Sequence, residues 1–292
     1  MVGMNAGLGM RKQTCIAAGI RNADGENFWR RFTRACVRRE TDGTMAIEQH
    51  QPRLRDIRIV HSSDLHVDDD RIAALHAGDG TGVLHDVLAT ARALGADAVI
   101  LAGDTFDNHQ VTTDTIDRAG TLLAEAKLPL VILPGNHDPA TPDSIWMRGR
   151  FDEIGNVAIL GITNERSIAF LNLDLEIWGN AHRDYHDMPP LRDPPRRAAR
   201  WHIAMGHGHY EPPETWHNPL RPSWLISDAM IDATGADYVA LGHWDRAAQV
   251  GSGAVPAYYS GSPDYVHTVN LVRLTAEGEV IVTRAPVLTD KR

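Results

Sequence analysis

Cysteine is nearly missing from this chain: of 292 residues only Cys15 and Cys36 carry a thiol, and both lie in the first 44. The remainder can hold neither a disulfide framework nor a thiolate metal site, so any metal bound there is held by oxygen and nitrogen. Long apolar runs are missing too. No stretch approaches the roughly 18–20 residues that span a bilayer. Cys15–Ile20 falls short of the about 7–15 residues of a secretory core. These absences lead us to expect a cytoplasmic protein with no membrane partner. Internal repeats and heptads are likewise absent.

Positive charge is scarce in the main part of the chain. Residues 1–44 hold 8 Lys+Arg against 4 Asp+Glu, a net of +4. From the chain's 29 and 38, this leaves 21 against 34 for residues 45–292, a net of −13. Such a surface offers poor general attraction for a polyanion, although a local basic groove would override it. The Arg-rich leader around Phe28–Glu40 reads as a flexible extension, or as sequence upstream of a natural start at Met45. The competing reading is an arm for nucleic acid or a membrane surface.

With 43% hydrophobic and 23% charged residues, the composition is that of a globular protein. After Met45 one pattern recurs, an apolar run followed by a turn rich in Asp, His, Gly and Asn. Ile57–Val60 runs into Ser63-Asp64-Leu65-His66. Val83, Leu84, Val87, Leu88, Ala91 and Leu94 form a helical stripe ended by Gly95. Ala98–Ala102 runs into Gly103-Asp104, Ile116 to Ala126 gives a second helix, and Leu130–Leu133 runs into Pro134-Gly135-Asn136-His137-Asp138. Strands alternating with helices predict a parallel array whose site lies at the carboxyl ends of the strands.

The second half is richer in strands, expected at Ile168–Leu173, Leu175–Trp178, His202–Met205 and Tyr238–Leu241. A helix is expected near Trp224–Thr234 with Ser223 as its N-cap. Hairpins should turn near Gly251–Gly253 and Ala276–Gly278. The Pro- and Arg-rich stretch Asp187–Arg200 reads as a loop.

The polar residues at the strand ends are Asp64, His66, Asp104, Asp107, Asn136, His137, His207 and His243. One such residue alone is more often structural than a ligand. Eight of them on one edge of a sheet would repel or stay unpaired without a cation, because buried carboxylates need partners. Oxygen and nitrogen donors suit manganese, with iron or zinc as alternatives. Two such ions about 3.5–4 Å apart suit in-line displacement at phosphorus.

In order, Asp64-x-His66, Gly103-Asp104-x-x-Asp107, Gly135-Asn136-His137-Asp138, His207 and Gly242-His243 resemble the motifs of the calcineurin-like metallophosphoesterases. The resemblance covers roughly residues 57–262. The wording HSSDLH, LAGDTFD, PGNHD, YVALGH and YYSGSP is closest to the SbcD-type nuclease branch. It implies an α/β sandwich of two mixed β-sheets flanked by helices, with residues 55–290 as the catalytic domain and 1–50 as an extension. It also implies two divalent ions and phosphoester hydrolysis by a metal-bridging hydroxide. Asp64 and His66 would hold the first ion, Asp104 would bridge both, and Asn136, His207 and His243 would hold the second. His137 would act as general acid or steady the phosphoryl oxygens, with Asp107 orienting and charging it.

The final motif of the family usually ends in a second His, whereas Asp245 stands here in Gly242-His243-Trp244-Asp245. We expect Asp245 to replace that His as an oxygen ligand; the alternative is a surface pair with Arg246. His209 is expected to line the pocket or face solvent; His61, His109, His182 and His186 are expected to be ordinary polar loop residues, with contacts to the ligands or to substrate as the alternative. Arg192, Arg196, Arg197 and Arg200 are expected to lie in a solvated loop, with phosphate binding as the alternative, since Arg forks match phosphate oxygens. Trp216 and Trp224 either stack on a planar group of the substrate or pin a Pro-rich loop.

The expected substrate is a phosphorylated small molecule or a nucleic acid. A DNA nuclease is the alternative function, opposed by the acidic surface and by the short stretch after Ser262, where that branch continues into a capping domain. A scaffold that binds metal without catalysis is a further alternative.

Overall fold

Alternate residues of a strand face opposite ways, and the central strands use this to build two cores at once. In the run Ala98–Ala102, Val99 and Leu101 enter one buried cluster while Ala98, Ile100 and Ala102 enter another. Leu130 and Ile132 likewise separate from Val131 and Leu133. A run apolar at every position is therefore a strand covered on both faces.

The computed structural model describes residues 55–212 and 224–289, with the backbone of three short strands before them. The chain divides into two units, Met1–Arg53 and Leu54–Arg292. In the first, Cys15–Ile16, Ala35–Arg39 and Met45–Ile47 form an antiparallel sheet.

Among the described residues of the second unit, twelve strands form two six-stranded sheets, beside a two-stranded pairing of His209–Tyr210 with Leu225–Ile226. In chain order they are β1 Ile57–Ser62, β2 Ala98–Ala102, β3 Leu130–Leu133, β4 Val157–Ile159, β5 Ser167–Phe170 and β6 Leu175–Gly179. There follow β7 Trp201–His207, β8 Tyr238–Gly242, β9 Ala248–Val250, β10 Ala257–Tyr259, β11 Thr268–Leu274 and β12 Val280–Pro286. One sheet has the order β12-β11-β1-β2-β3-β4 and the other β9-β10-β8-β7-β6-β5. Both are mixed. β1 to β4 run parallel, and β11 joins them antiparallel to β1. In the other sheet β6, β7, β8 and β10 run parallel while β5 and β9 close the edges antiparallel.

The two inner faces pack on each other through Ile59, Ile100, Val131, Ile177, Ile203 and Ala240, among others. Helices α1 (Asp70–Leu75), α2 (Gly82–Ala93) and α3 (Thr113–Ala126) follow the first two strands. The stripes Val83, Leu84, Val87, Leu88, Ala91 and Ile116, Ala119, Leu123 of α2 and α3 cover the outer face of the first sheet. Truncating one of these leucines to alanine removes about 2–5 kcal/mol in comparable cores. Thr112 caps α3 by accepting from the Thr115 amide at 3.2 Å, and Lys127 ends it in the left-handed conformation at φ 53°.

The expected helix near Trp224–Thr234 is shorter. Leu225–Ile226 instead pairs in parallel with His209–Tyr210, and Trp224 is left-handed at φ 57°. The helix is Asp228–Ala233, capped by Ser227, whose hydroxyl accepts from Met230; Ser223 and Trp216 lie outside the described residues. The strand expected to reach Leu173 stops at Phe170, because a turn through Leu171–Asp174 sends the chain back into β6. Asp187–Arg200 is a loop, as expected.

Candidate metal centre

All parallel strands of both sheets deliver their carboxyl ends to one rim. The loop after β1 brings Asp64 and His66, the loop after β2 Asp104 and Asp107, and the loop after β3 Asn136 and His137. From the other sheet β7 ends on His207, and His243 follows β8. The register aligns His207 with Gly242, so the two imidazoles come side by side, 5.3 Å between ring centres.

The loops take unusual backbone conformations to do this. Asp64, His66, Asp104 and His243 all have positive φ, at 55°, 46°, 51° and 102°. Non-glycine residues in this region store strain, and such strain gathers at functional sites. Gly103 is needed for a different reason: at φ 96° a Cβ there would lie 2.0 Å from Nδ1 of His207.

Three groups of side chains can each converge on a cation. They are Asp64, His66 and Asp104; Asp104, His207 and His243; and His66, Asp107 and His137, with donor atoms within 4.8 Å of one another. Asp104 belongs to two groups. Its Oδ2 lies 3.1 Å from Nε2 of His207, and its Oδ1 accepts from the His137 amide at 2.9 Å. Oδ1 of Asn136 lies 3.0 Å from His207 Nε2 and 3.1 Å from His243 Nδ1. Thus one carboxylate and one amide oxygen link ligands from both sheets.

The electrostatics are those of a buried site with excess ligand charge. Burial raises Asp64 to about 6, against the His207 charge, and the Asp104 carboxylate beside it adds to the rise. Burial also opposes the charge on Asp104, but the His207 imidazole outweighs it and holds this carboxyl well below its ordinary range. His207, resisted by burial, is pushed up to about 9 by the charge and hydrogen bond of Asp104. Burial and His207 hold His243 down at about 4. A proton on His207 therefore balances the carboxylates, at a position that a cation can take over. The oxygen and nitrogen donors fit hard or borderline divalent ions.

Second partners hold these groups in place. Nδ1 of His207 donates to the Ala102 carbonyl at 2.9 Å, which turns Nε2 into the site. Both carboxylate oxygens of Asp64 accept from the His243 amide at 3.0 Å, and Oδ2 also accepts from Ser63. His137 donates Nδ1–H to the Asp107 carbonyl at 2.7 Å. The Asp107 carboxylate stands 3.9 Å from that nitrogen but 3.2 Å from His66 Nδ1. It is the main chain of Asp107, more than its carboxylate, that fixes the His137 ring.

Asp245 is exposed and belongs to none of the three groups among the described residues, though it lines the same cavity as His66 and Asp107. His209 accepts from Trp244 at 3.0 Å and stands 6.4 Å from His243, ring to ring. Arg197 and Arg200 are structural rather than free in solvent: Arg197 pairs with Asp237, and Arg200 donates to the Ala276 carbonyl. Trp224 pins its loop, donating Nε1–H to the His186 carbonyl at 3.0 Å, and its ring meets His182 and His243 edge-on.

Two residues outside the ligand set brace it: Asp138, which its motif did not mark out, and His182, where the alternative of a supporting contact holds. Asp138 is fully buried and accepts from Gly135, Thr105 and Phe106, tying the loop of Asn136 to the loop of Asp104. His182, expected in a polar loop, is buried with Nε2–H donating to the His207 carbonyl at 2.8 Å. His61 is also no loop residue but the inner-face residue of β1, 2.8 Å from the Tyr238 hydroxyl.

The profile of the calcineurin-like phosphoesterases matches residues 57–246. No curated protein matches the chain significantly. Among solved structures, one crystal structure superposes with a TM-score of 0.51 at 12% identity, over 78% of this chain and 99% of its own. TT1561 of Thermus thermophilus gives 0.49 at 15% identity, over 78% and 98%.

Proposed function

The chain belongs to the calcineurin-like phosphoesterase family, and we propose that it hydrolyses phosphate mono- or diesters with two divalent ions, manganese first among them. The observation that carries this reading is the position of Asp104, shared between a ligand group with Asp64 and His66 and another with His207 and His243. Asn136, within hydrogen-bond distance of both imidazoles, completes the second group. We assign Asp245, on the wall of the same cavity, as a further oxygen donor to the first ion.

When bound, such ions polarise the phosphoryl oxygens and lower the pKa of a water to be used as nucleophile. The chain's own residues do the rest. The His207–Ala102 bond and the Asp64–His243 bond fix the donors in advance, so little reorganisation is needed when charge develops. His137 is half-exposed, and its Nδ1–H is engaged by the Asp107 carbonyl. Nε2 is thus the nitrogen that faces substrate, placed to give a proton to the departing oxygen or a hydrogen bond to phosphoryl oxygen.

The test is hydrolysis of an aryl phosphomonoester and an aryl diester by manganese-loaded protein, with metal content measured on the same samples. The wild type should cleave at least one of them with about two ions bound. Asp104→Asn should lose at least 100-fold in kcat/KM, and Asp245→Ala should lower occupancy of one ion only. Full activity in Asp104→Asn overturns the two-ion scheme, and unchanged metal content in Asp245→Ala removes Asp245 from it.

A further inference from the structure

An open cavity of about 370 Å³ begins at His66 and Asp107 and extends over α1 and the short helix Pro263–Val266. Its outer wall is apolar. Among the described residues six large hydrophobic side chains are well exposed, and two of them, Leu75 at 68% and Tyr265 at 59%, line this one cavity together with Ile72. Exposed apolar groups scattered singly need no explanation, but two converging beside a reactive centre form a surface that an organic group can cover.

The polar part of the wall is mostly acidic. Asp69 and Asp264 line it beside Asp245 and Asp107, against Arg71 as the single Lys or Arg of the lining. Asp69 also caps α1, accepting from the Arg71 and Ile72 amides, so its carboxylate is fixed in place. One oxygen of Asp264 meets His76 at 3.0 Å, while the other is buried without a partner. With Asp264 paired to His76 and Asp245 bound to an ion, Asp69 stands against Arg71, and the wall offers no surplus of positive charge. A second phosphate placed here would find Arg71 already balanced by Asp69, whereas a neutral or cationic group carrying donors would be welcomed.

Resting on the phosphoesterase reading above, we propose that this cavity selects esters in which a single phosphate carries an apolar or aromatic group, neutral or cationic. It excludes polyanionic chains. Tyr265 and Leu75 are its specificity-determining residues. The Tyr265 ring offers a face to planar groups and to organic cations.

The experiment uses the full, manganese-loaded chain with bis(p-nitrophenyl) phosphate, p-nitrophenylphosphorylcholine and a single-stranded oligodeoxynucleotide. Tyr265→Ala and Leu75→Ala remove exposed side chains and should fold normally. Each should raise KM for the two aryl esters at least fivefold with kcat within twofold, the mark of lost ground-state binding. Oligonucleotide binding should be weak, without the steep salt dependence of a phosphate-tracking groove. Unchanged KM in both variants, or tight and salt-sensitive oligonucleotide binding, overturns the proposal. Absence of any ester cleavage by the wild type instead overturns the phosphoesterase reading on which it rests.

Discussion

Asp138 shows how a residue outside the ligand set can decide whether the ligands meet. Its carboxylate accepts three main-chain N–H groups, from Gly135, Thr105 and Phe106. Burial, with the neighbouring Asp104 charge, raises it to about 7, so the three amides offset only part of the cost of enclosing it. Asp138→Ala leaves those donors buried without acceptors, at about 1–3 kcal/mol each. We expect a loss of at least about 3 kcal/mol in denaturant unfolding. Weaker metal binding should accompany it, since Asn136 is then free to drift. A fully stable variant would mean that water replaces the carboxylate. The motif string contained Asp138, yet spacing alone could not separate a residue that braces two loops from one that binds metal. That distinction exists only once the loops are seen side by side.

Strand β1 carries a second lesson, because it bears His61 on the face between the sheets. The ring is fully buried against Tyr238 and Asn270. Burial holds it down at about 3, well below the ordinary 6.5 of an imidazole. The folded form stays neutral while the unfolded chain takes up a proton below about 6.5. Stability therefore falls as pH drops from about 6.5 toward 3, by up to about 1.4 kcal/mol per pH unit. His61→Gln should flatten this acid limb by one proton, read from urea midpoints at pH 5 and 7.5. An unchanged slope would show that the ring already charges inside the fold.

The strands that carry ligands were legible because each was an apolar run closed by polar residues. β4, only three residues long, left no such mark. The Trp224 segment misled for a related reason. Its apolar residues suit a helix, but the short pairing with His209–Tyr210 claims two of them, and pairing between distant segments leaves no local period. The eight strand-end residues stood out in the sequence, and the geometry gathers them at one rim. Which partner turns each ring was not readable, because main-chain carbonyls such as those of Ala102 and Asp107 have no signature in sequence.

At the scale of the whole molecule, the site links its ligands to stability with opposite signs in its two states. Without metal, His207 sits at about 9, above its ordinary value. Its pairing with Asp104 stabilises the fold fully below about 6.5 and is lost as pH rises through about 9. On the proposed scheme, loading a cation discharges that proton, so metal affinity should rise over the same interval. Chelated protein should thus lose Tm between pH 6.5 and 9, while the gain in Tm on adding manganese grows. A manganese-dependent shift that shrinks with pH would mean that His207 is not displaced from Asp104.

The order of strands in the first sheet also governs when the site can exist during synthesis. β1 lies between β2 and β11, and its inner residue His61 meets Asn270, 209 positions away. The nascent chain therefore offers Asp64 and His66 from a sheet that still lacks one neighbour until the hairpin of β11 and β12 has been made. Long-range pairings of this kind close late. On the proposed scheme, ion capture would fall at the end of folding, once ligands from both sheets stand together, and the centre would act as a seal on an assembled chain rather than a seed for it.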